Sequence, residues 1–143
     1  MYQLVYVSAA STALRDTDLN QILDSARRNN RPRDVTGMLL LIDQGFLQVL
    51  EGPKDAVLEI FARIRADDRH GAVRVLVQHE APERLFPNWS MGFEKLNPSH
   101  ALTADVFAVT REAIQNAVEP ERAVEIATLL RTFYKVNADR DAA

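Results

Sequence analysis

Gln48 is an amide standing where a strand would ordinarily carry an apolar side chain. It lies within Gly45-Phe46-Leu47-Gln48-Val49-Leu50-Glu51-Gly52, whose alternation otherwise predicts a half-buried β-strand. Side chains on a strand alternate with a period of two, so Phe46, Gln48 and Leu50 share one face. An amide between two large apolar neighbours on a core-side face must be hydrogen-bonded or cost about 1–3 kcal/mol. A polar partner is therefore expected against Gln48, and an amide that both donates and accepts suits a polar ring. Tyr6, on a predicted first strand with Leu4 and Ser8 on its face, offers a phenol nearby. Taken singly, a strand glutamine can equally well face solvent; its companions decide between the two readings.

Those companions lie in separate elements. Asn29-Asn30 closes a predicted helix, and by itself the pair is explained as a helix C-terminus, since Asn tolerates the left-handed conformation found there. Arg63, just before the apolar Ile64 on a second helix, is by default a solvated charge, and Trp89 and Met91 are by default core residues. Taken together, these groups would ring a flat heteroaromatic ligand bearing carbonyls and an N–H. An Asn amide donates to a carbonyl and accepts from a ring N–H, while Arg donates to a second carbonyl. Ile22 and Ile64 would supply apolar contact to the faces of the ring.

The elements that must position them follow from hydrophobic periodicity. Tyr2 to Ser8 predicts strand one. Leu19, Ile22, Leu23 and Ala26 carry the buried stripe of a helix that starts after Asp16 or Thr17 as N-cap and ends at Asn29-Asn30, before Pro32. Val35 to Ile42 is a continuous apolar run, expected as a strand buried on both faces. Asp43-Gln44-Gly45 turns it into the Gln48 strand, which Gly52-Pro53 stops, with Pro53 expected as the first residue of the next helix. Val57, Ile60, Phe61 and Ile64 mark that helix, and Arg69-His70-Gly71 is expected as a loop. Val73, Val75 and Val77 alternate as a fourth strand, and Trp89, Met91 and Phe93 as a fifth.

The order is β-α-β-β-α-β plus one strand, an α+β, ferredoxin-like βαββαβ sandwich with a fifth strand and two C-terminal helices. Those helices are expected at about residues 103–118 and 121–136, divided by Pro120. The internal helices would cover one face of the sheet and the C-terminal pair the other. The tail from Asn137 to Ala143 is expected to fray.

Composition narrows the function. The chain has 143 residues, 47% hydrophobic and 26% charged, an ordinary balance for one globular domain. A net charge of −3 offers no basic footprint for nucleic acid and no polybasic membrane patch. The absence of cysteine excludes disulfides, thiolate metal sites and a cysteine nucleophile. The N-terminus lacks a signal-peptide pattern and no apolar run is long enough to span a bilayer, so a soluble, cytoplasmic chain is expected. No Gly-rich phosphate loop, paired-carboxylate motif or nucleophile elbow is present, and His70, His79 and His100 lack metal-ligand spacing. An enzyme therefore has little support in the residues.

The combined motifs resemble a known family. Tyr6 with Ser8, Ile22-Leu23, Arg28-Asn29-Asn30, Val35-Thr36-Gly37-Met38-Leu39, the Phe46 to Gly52 run, Arg63-Ile64, Asp68-Arg69-His70, and Arg84-Leu85-Phe86 leading to Trp89-Ser90-Met91 stand in the order and approximate spacing of BLUF domains. These are blue-light sensors using FAD, and the likeness covers about residues 2–96. The Phe-Leu-Gln-x-Leu-Glu-Gly run and Trp-Ser-Met are its most specific parts. It implies a flavin-binding photosensor core at 1–96 and a helical output extension at 97–143.

The resemblance also implies roles. An isoalloxazine ring would lie between the two internal helices, with Asn30 toward its C4 carbonyl and N3–H, and Asn29 and Arg63 toward its C2 carbonyl. Gln48 would bridge Tyr6 and the N5/C4 carbonyl edge, with Tyr6 and Gln48 photoactive. Asp67, Arg69 and His70 would contact the ribityl–phosphate part. Nothing in the chain forms an obvious diphosphate motif, so FAD rests on the resemblance, and FMN or riboflavin would also suit the ring site. Ser8, Trp89 and Met91 would transmit the signal toward the C-terminal helices, whose Val124, Leu129 and Tyr134 fall partly off the main stripe. Those residues either form an output surface or simply broaden the helix–sheet core.

A chain this short is expected to signal through another polypeptide. In similar short BLUF proteins this is a cyclic-di-GMP phosphodiesterase or a response-regulator-like protein, and a homo-oligomer is expected. Two other classes stay open at this stage: a light-independent interaction module on the same scaffold, and a small acylphosphatase-like hydrolase.

Overall fold

The alternating and continuous apolar runs become strands, and the two apolar stripes become helices. In chain order these are β1 (Tyr2–Ala10), α1 (Asp16–Asn30), β2 (Thr36–Ile42), β3 (Gly45–Gly52), α2 (Lys54–Ala66), β4 (His70–Glu80) and β5 (Gly92–Leu96), with a 3-10 turn at Arg31–Arg33. The computed structural model describes residues 1–11, 14–42, 45–84, 86–87 and 90–96. The turn at Asp43-Gln44, Trp89 and the two expected C-terminal helices lie outside the described residues.

The strands form one sheet in the order β4-β1-β3-β2-β5, the ferredoxin-like α+β arrangement with β5 added beside β2. Neighbours pair antiparallel except β2 and β5, which run parallel from Met38↔Gly92 to Ile42↔Leu96. Leu19 and Leu23 of α1, and Val57, Ile60 and Phe61 of α2, pack with Leu4, Tyr6, Leu39, Phe46 and Leu50 in one buried cluster. The opposite face is buried too: Val5, Val7, Met38, Leu40, Leu47 and Val49 are at most 1% exposed.

Several local expectations are corrected. All eight residues of β3 are buried, not half of them, because β3 is the middle strand of a sheet covered on both faces. Helix α1 already includes Asp16, and its N-cap is Arg15, whose backbone N–H donates to the Asp18 carboxylate at 2.9 Å. An acid at the third helical position thus satisfies the cap from inside the helix. Pro53 caps α2 rather than opening it. The left-handed residue after α1 is Asp34, at φ 57°, whereas Asn30 keeps helical angles. Backbone conformation therefore does not account for the asparagine at 30.

Strand β4 begins at His70, so His70 and Gly71 are paired rather than looped, opposite Ala10 and Ala9. Its alternation is broken by two irregularities against β1, between Val5 and Tyr6 and between Val7 and Ala9. The second contains Ala72 at φ 52°, and Val75 is left 38% exposed. An extra residue on one strand turns the following side chains to the other face. Met91, expected within the fifth strand, sits just before it, since pairing with β2 starts at Gly92.

On the second sheet face Glu51 is fully buried. It accepts from Gln3 Nε2 at 3.2 Å and from the Phe86 backbone N–H at 2.8 Å. Arg84 donates to Thr36 Oγ1, the Asp34 carbonyl and the Glu51 carbonyl at 2.7, 2.8 and 3.1 Å. These bonds pin residues 84 and 86 to β2 and β3, upstream of Ser90 and Met91.

Gly37 marks a close approach within β2. A Cβ placed there would lie 1.9 Å from the Val49 carbonyl oxygen and 3.4 Å from Met91 Cε. Backbone oxygen cannot retreat without breaking the β2–β3 ladder. Gly37→Ala is expected to cost about 3 kcal/mol or more, read as a lower denaturant midpoint.

Candidate functional site

Sheet register brings the two residues singled out by chemistry face to face. Tyr6 on β1 is the direct cross-strand partner of Gln48 on β3, and the two are 2% and 4% exposed. Tyr6 Oη donates a hydrogen bond to Gln48 Oε1. The other end of the amide, Gln48 Nε2, donates to Met91 Sδ at 3.3 Å. The result is a three-residue chain from phenol through amide to thioether. Burial and the nearby Asp67 carboxylate push the Tyr6 phenol well above its ordinary titration range, so it is protonated at neutral pH. The Tyr6 ring packs on Phe61 at a centroid separation of 5.2 Å.

His70 closes the far side. Its Nε2 is 2.5 Å from the Ile64 carbonyl, which can only accept, so Nε2 carries a proton. Nδ1 pairs with the buried Ser8 Oγ at 2.8 Å, tying β4 to β1. Asp67 accepts from Arg69 at 2.5 Å, and this bond holds the Asp67 carboxyl below its usual range.

Asn30 is 1% exposed, and its Nδ2 donates to the Ser90 carbonyl at 2.9 Å. Its Oδ1 has no hydrogen-bond partner among the described residues. A buried acceptor left in that state is costly, so the site is built for a donor that the described residues do not supply.

These residues surround a cavity of about 160 Å³ between the helices and the sheet. Tyr6 and Gln48 form its floor, and α1 contributes Ile22, Asn29 and Asn30. Helix α2 contributes Arg63 and Ile64, with Asp67, Arg69 and His70 following it. The structure thus gathers on one cavity Tyr6, Ile22, Asn29, Asn30, Gln48, Arg63, Ile64, Asp67, Arg69 and His70, whereas Met91 does not line it and Trp89 lies outside the described residues. Ser8 and Met91 stand one contact further out, behind His70 and Gln48 respectively. Arg63 spends one donor on Glu59 at 3.2 Å and remains about half exposed.

Ser25, Ala26, Leu39, Phe46 and Ile60 also line the cavity, and Ser25 was missed as a site residue. Its signal was available: Ser25 lies three residues after Ile22 and four before Asn29, which is one face of a helix. The donor set fits a flat ring with carbonyls and an N–H. Asn30 offers a free acceptor, Asn29 and Arg63 offer donors, and Ile22, Ile64 and Leu39 offer apolar contact.

The comparisons agree with this class of site. Residues 1–92 match the family described as sensors of blue-light using FAD, and the chain belongs to it: it carries a BLUF domain. Domains of this family bind flavin and act as photosensors, not as enzymes themselves. One relative is the photoactivated adenylate cyclase subunit beta of Euglena gracilis, 39% identical over 89 residues, which are 62% of this chain and 10% of that protein. The chain therefore spans about a tenth of the curated relatives it matches. Among solved structures, the photo-activated state of BlsA aligns with a TM-score of 0.76 at 25% identity, covering 91% of this chain and 94% of that one. The dark state of BlrB, a BLUF protein, aligns at 0.73 and 27% identity, covering 92% and 96%. Among the described residues, no helix is long and apolar enough to cross a membrane, and no cluster of His, Cys, Asp or Glu is arranged to hold a metal.

Proposed function

We propose that this chain is a blue-light photoreceptor that binds FAD and signals by rearranging the Gln48 amide. The observation that carries the proposal is the buried hydrogen-bond chain Tyr6–Gln48–Met91, whose first two residues floor the cavity between the helices and the sheet. When bound, the flavin supplies blue-light absorption and an excited state that takes up an electron. With flavin bound, Tyr6 would be the donor of that electron, its Oη proton having a path along the existing bond to Gln48 Oε1. Return of both would leave the Gln48 side chain rotated or tautomerised.

Asn30 would accept from the ring N–H through its Oδ1, which has no partner among the described residues, while Asn29 and Arg63 would donate toward a ring carbonyl. Arg69, Asp67 and His70 would hold the ribityl–phosphate part of the ligand. Burial of Tyr6 keeps its proton in place until light is absorbed.

The same reading assigns Ser8, Met91 and Trp89 to transmission, with β5 and the segment that follows it, expected from sequence to be helical, as the output surface. A homo-oligomer conveys the change to an effector such as a cyclic-di-GMP phosphodiesterase or a response-regulator-like protein. A shift of one strand between two arrangements suffices when each arrangement is favoured by one state of the amide.

An absorption spectrum of the purified protein tests the proposal. A flavin spectrum that moves reversibly to longer wavelength under blue light is expected, and FAD is expected on releasing the chromophore by heat. A colourless protein defeats the photoreceptor reading, and released FMN or riboflavin defeats the FAD assignment alone.

A further inference from the structure

Helix α1 presents two neighbouring stripes. Ile22, Ser25, Ala26 and Asn29 line the cavity. Beside them, Leu23, Arg27 and Asn30 follow i, i+4, i+7 spacing, and Leu23 and Asn30 are buried. Arg27 Nε donates to the Met91 carbonyl at 3.1 Å, across 64 positions of sequence. Its neighbour Arg28 is exposed and, among the described residues, bonds within its own helix, to Ser25 at 3.4 Å. Arg27 does not line the cavity, and its hydrogen bond serves no cap or turn of α1.

What that bond holds is the residue whose sulfur meets the switch amide. Met91 is fully buried and its Sδ accepts from Gln48 Nε2. A thioether is a weak acceptor, so its contribution depends on placement. The residue after it, Gly92, enters the sheet opposite Met38, whereas Met91 itself precedes the ladder. Its backbone is instead gripped from α1, by Asn30 on the Ser90 carbonyl and by Arg27 on the Met91 carbonyl. A hydrogen bond from a charged donor is about twice as strong as a neutral one.

We propose that Arg27 is a positioning residue for the photoreceptor: by holding the Met91 carbonyl it sets the thioether against the Gln48 amide and so tunes how long the rearranged amide persists. This rests on the photoreceptor reading above. The helix lining the cavity and the segment leading out of it are thereby joined through a side chain that touches neither ring nor switch.

A double-mutant cycle tests it, with dark recovery of the light-induced shift as one readout and the ¹³C-methyl resonance of Met91 as the other. Met91 is one of three methionines, so replacing it assigns its signal. Arg27→Ala is expected to change the recovery rate by about threefold or more and to move the Met91 methyl resonance, with both effects largely reversed in Arg27→Lys. In a Met91→Leu background, Arg27→Ala is expected to change recovery by less than about 1.5-fold. Should Arg27→Ala not fold, Arg27→Gln keeps the stem and shortens the reach, and the same changes are expected. Unchanged recovery with an unmoved resonance overturns the proposal, and so does an effect undiminished in Met91→Leu. A colourless wild type would end the photoreceptor reading, while the methyl resonance would still decide whether Arg27 places Met91.

Discussion

Gln48→Leu is expected to leave flavin bound and to abolish the light-induced red shift completely. Leucine is close to glutamine in size, so the floor of the cavity stays filled and its apolar walls are untouched. What disappears is the only group that touches both the Tyr6 hydroxyl and Met91 Sδ among the described contacts. Without an amide no second hydrogen-bond arrangement exists to be populated. The buried Tyr6 hydroxyl also loses its acceptor, which costs about 1–3 kcal/mol of stability. Absorption spectra before and after blue light, paired with a denaturation curve, check both parts. A normal, reversible shift in Gln48→Leu would remove Gln48 from the mechanism.

Tyr6→Phe is expected to retain flavin and lose the photocycle. Phenylalanine keeps the ring on Phe61 but has no proton to pass to Gln48 Oε1 and no readily oxidised phenol. No other described tyrosine can replace it. Tyr2, on the same strand, is four residues away, about 13 Å at the rise of a β-strand, and pairs with Gly52 at the other end of the ladder. Transient absorption following a blue flash measures the effect directly. A wild-type photocycle in Tyr6→Phe would exclude Tyr6 as the obligatory donor.

That both residues sit on core-side strand faces was legible from local rules, and that they meet was implied by the family resemblance. Period-two alternation puts Gln48 between Phe46 and Leu50, and Tyr6 between Leu4 and Ser8, on core-side faces. The helical and strand periods give the order of elements along the chain, whereas the β1–β3 register that sets Tyr6 opposite Gln48 comes from the folded sheet. Asn29 and Arg63 were legible as polar groups on two helices, and their meeting around one ligand was read from the polar set and the family resemblance rather than from either helix alone.

Features that depend on a distant partner were hidden. The shifts of register in β4 are set by its fit to β1, and valines at 73, 75 and 77 give no sign of them. The cap of α1 was misplaced because Asp16 and Thr17 resemble caps more than Arg15 does, while the capping carboxylate came from Asp18. Asn30 looked like a residue chosen for a left-handed turn, yet Asp34 makes that turn and Asn30 spends its side chain on Ser90. Arg27 was indistinguishable from Arg28 until the fold placed the Met91 carbonyl beside one of them.

The placement of Gln48 on the middle strand has a consequence for what kind of message the domain can send. Its backbone is laddered to Tyr6 on one side and Leu39 on the other, with burial at every position of β3. Amides in such a strand exchange with solvent only when the whole sheet opens. Under the proposed mechanism the state of the switch would be written in one side chain, as its torsion angles or its tautomer, with no displacement of the element that bears it. Such a record would be local and nearly silent, altering which atom faces a neighbour without altering where anything stands. It would become mechanical at Met91, which accepts from Gln48 Nε2 and precedes the β2–β5 ladder, so the loudness of the signal would be set at the reader rather than at the writer.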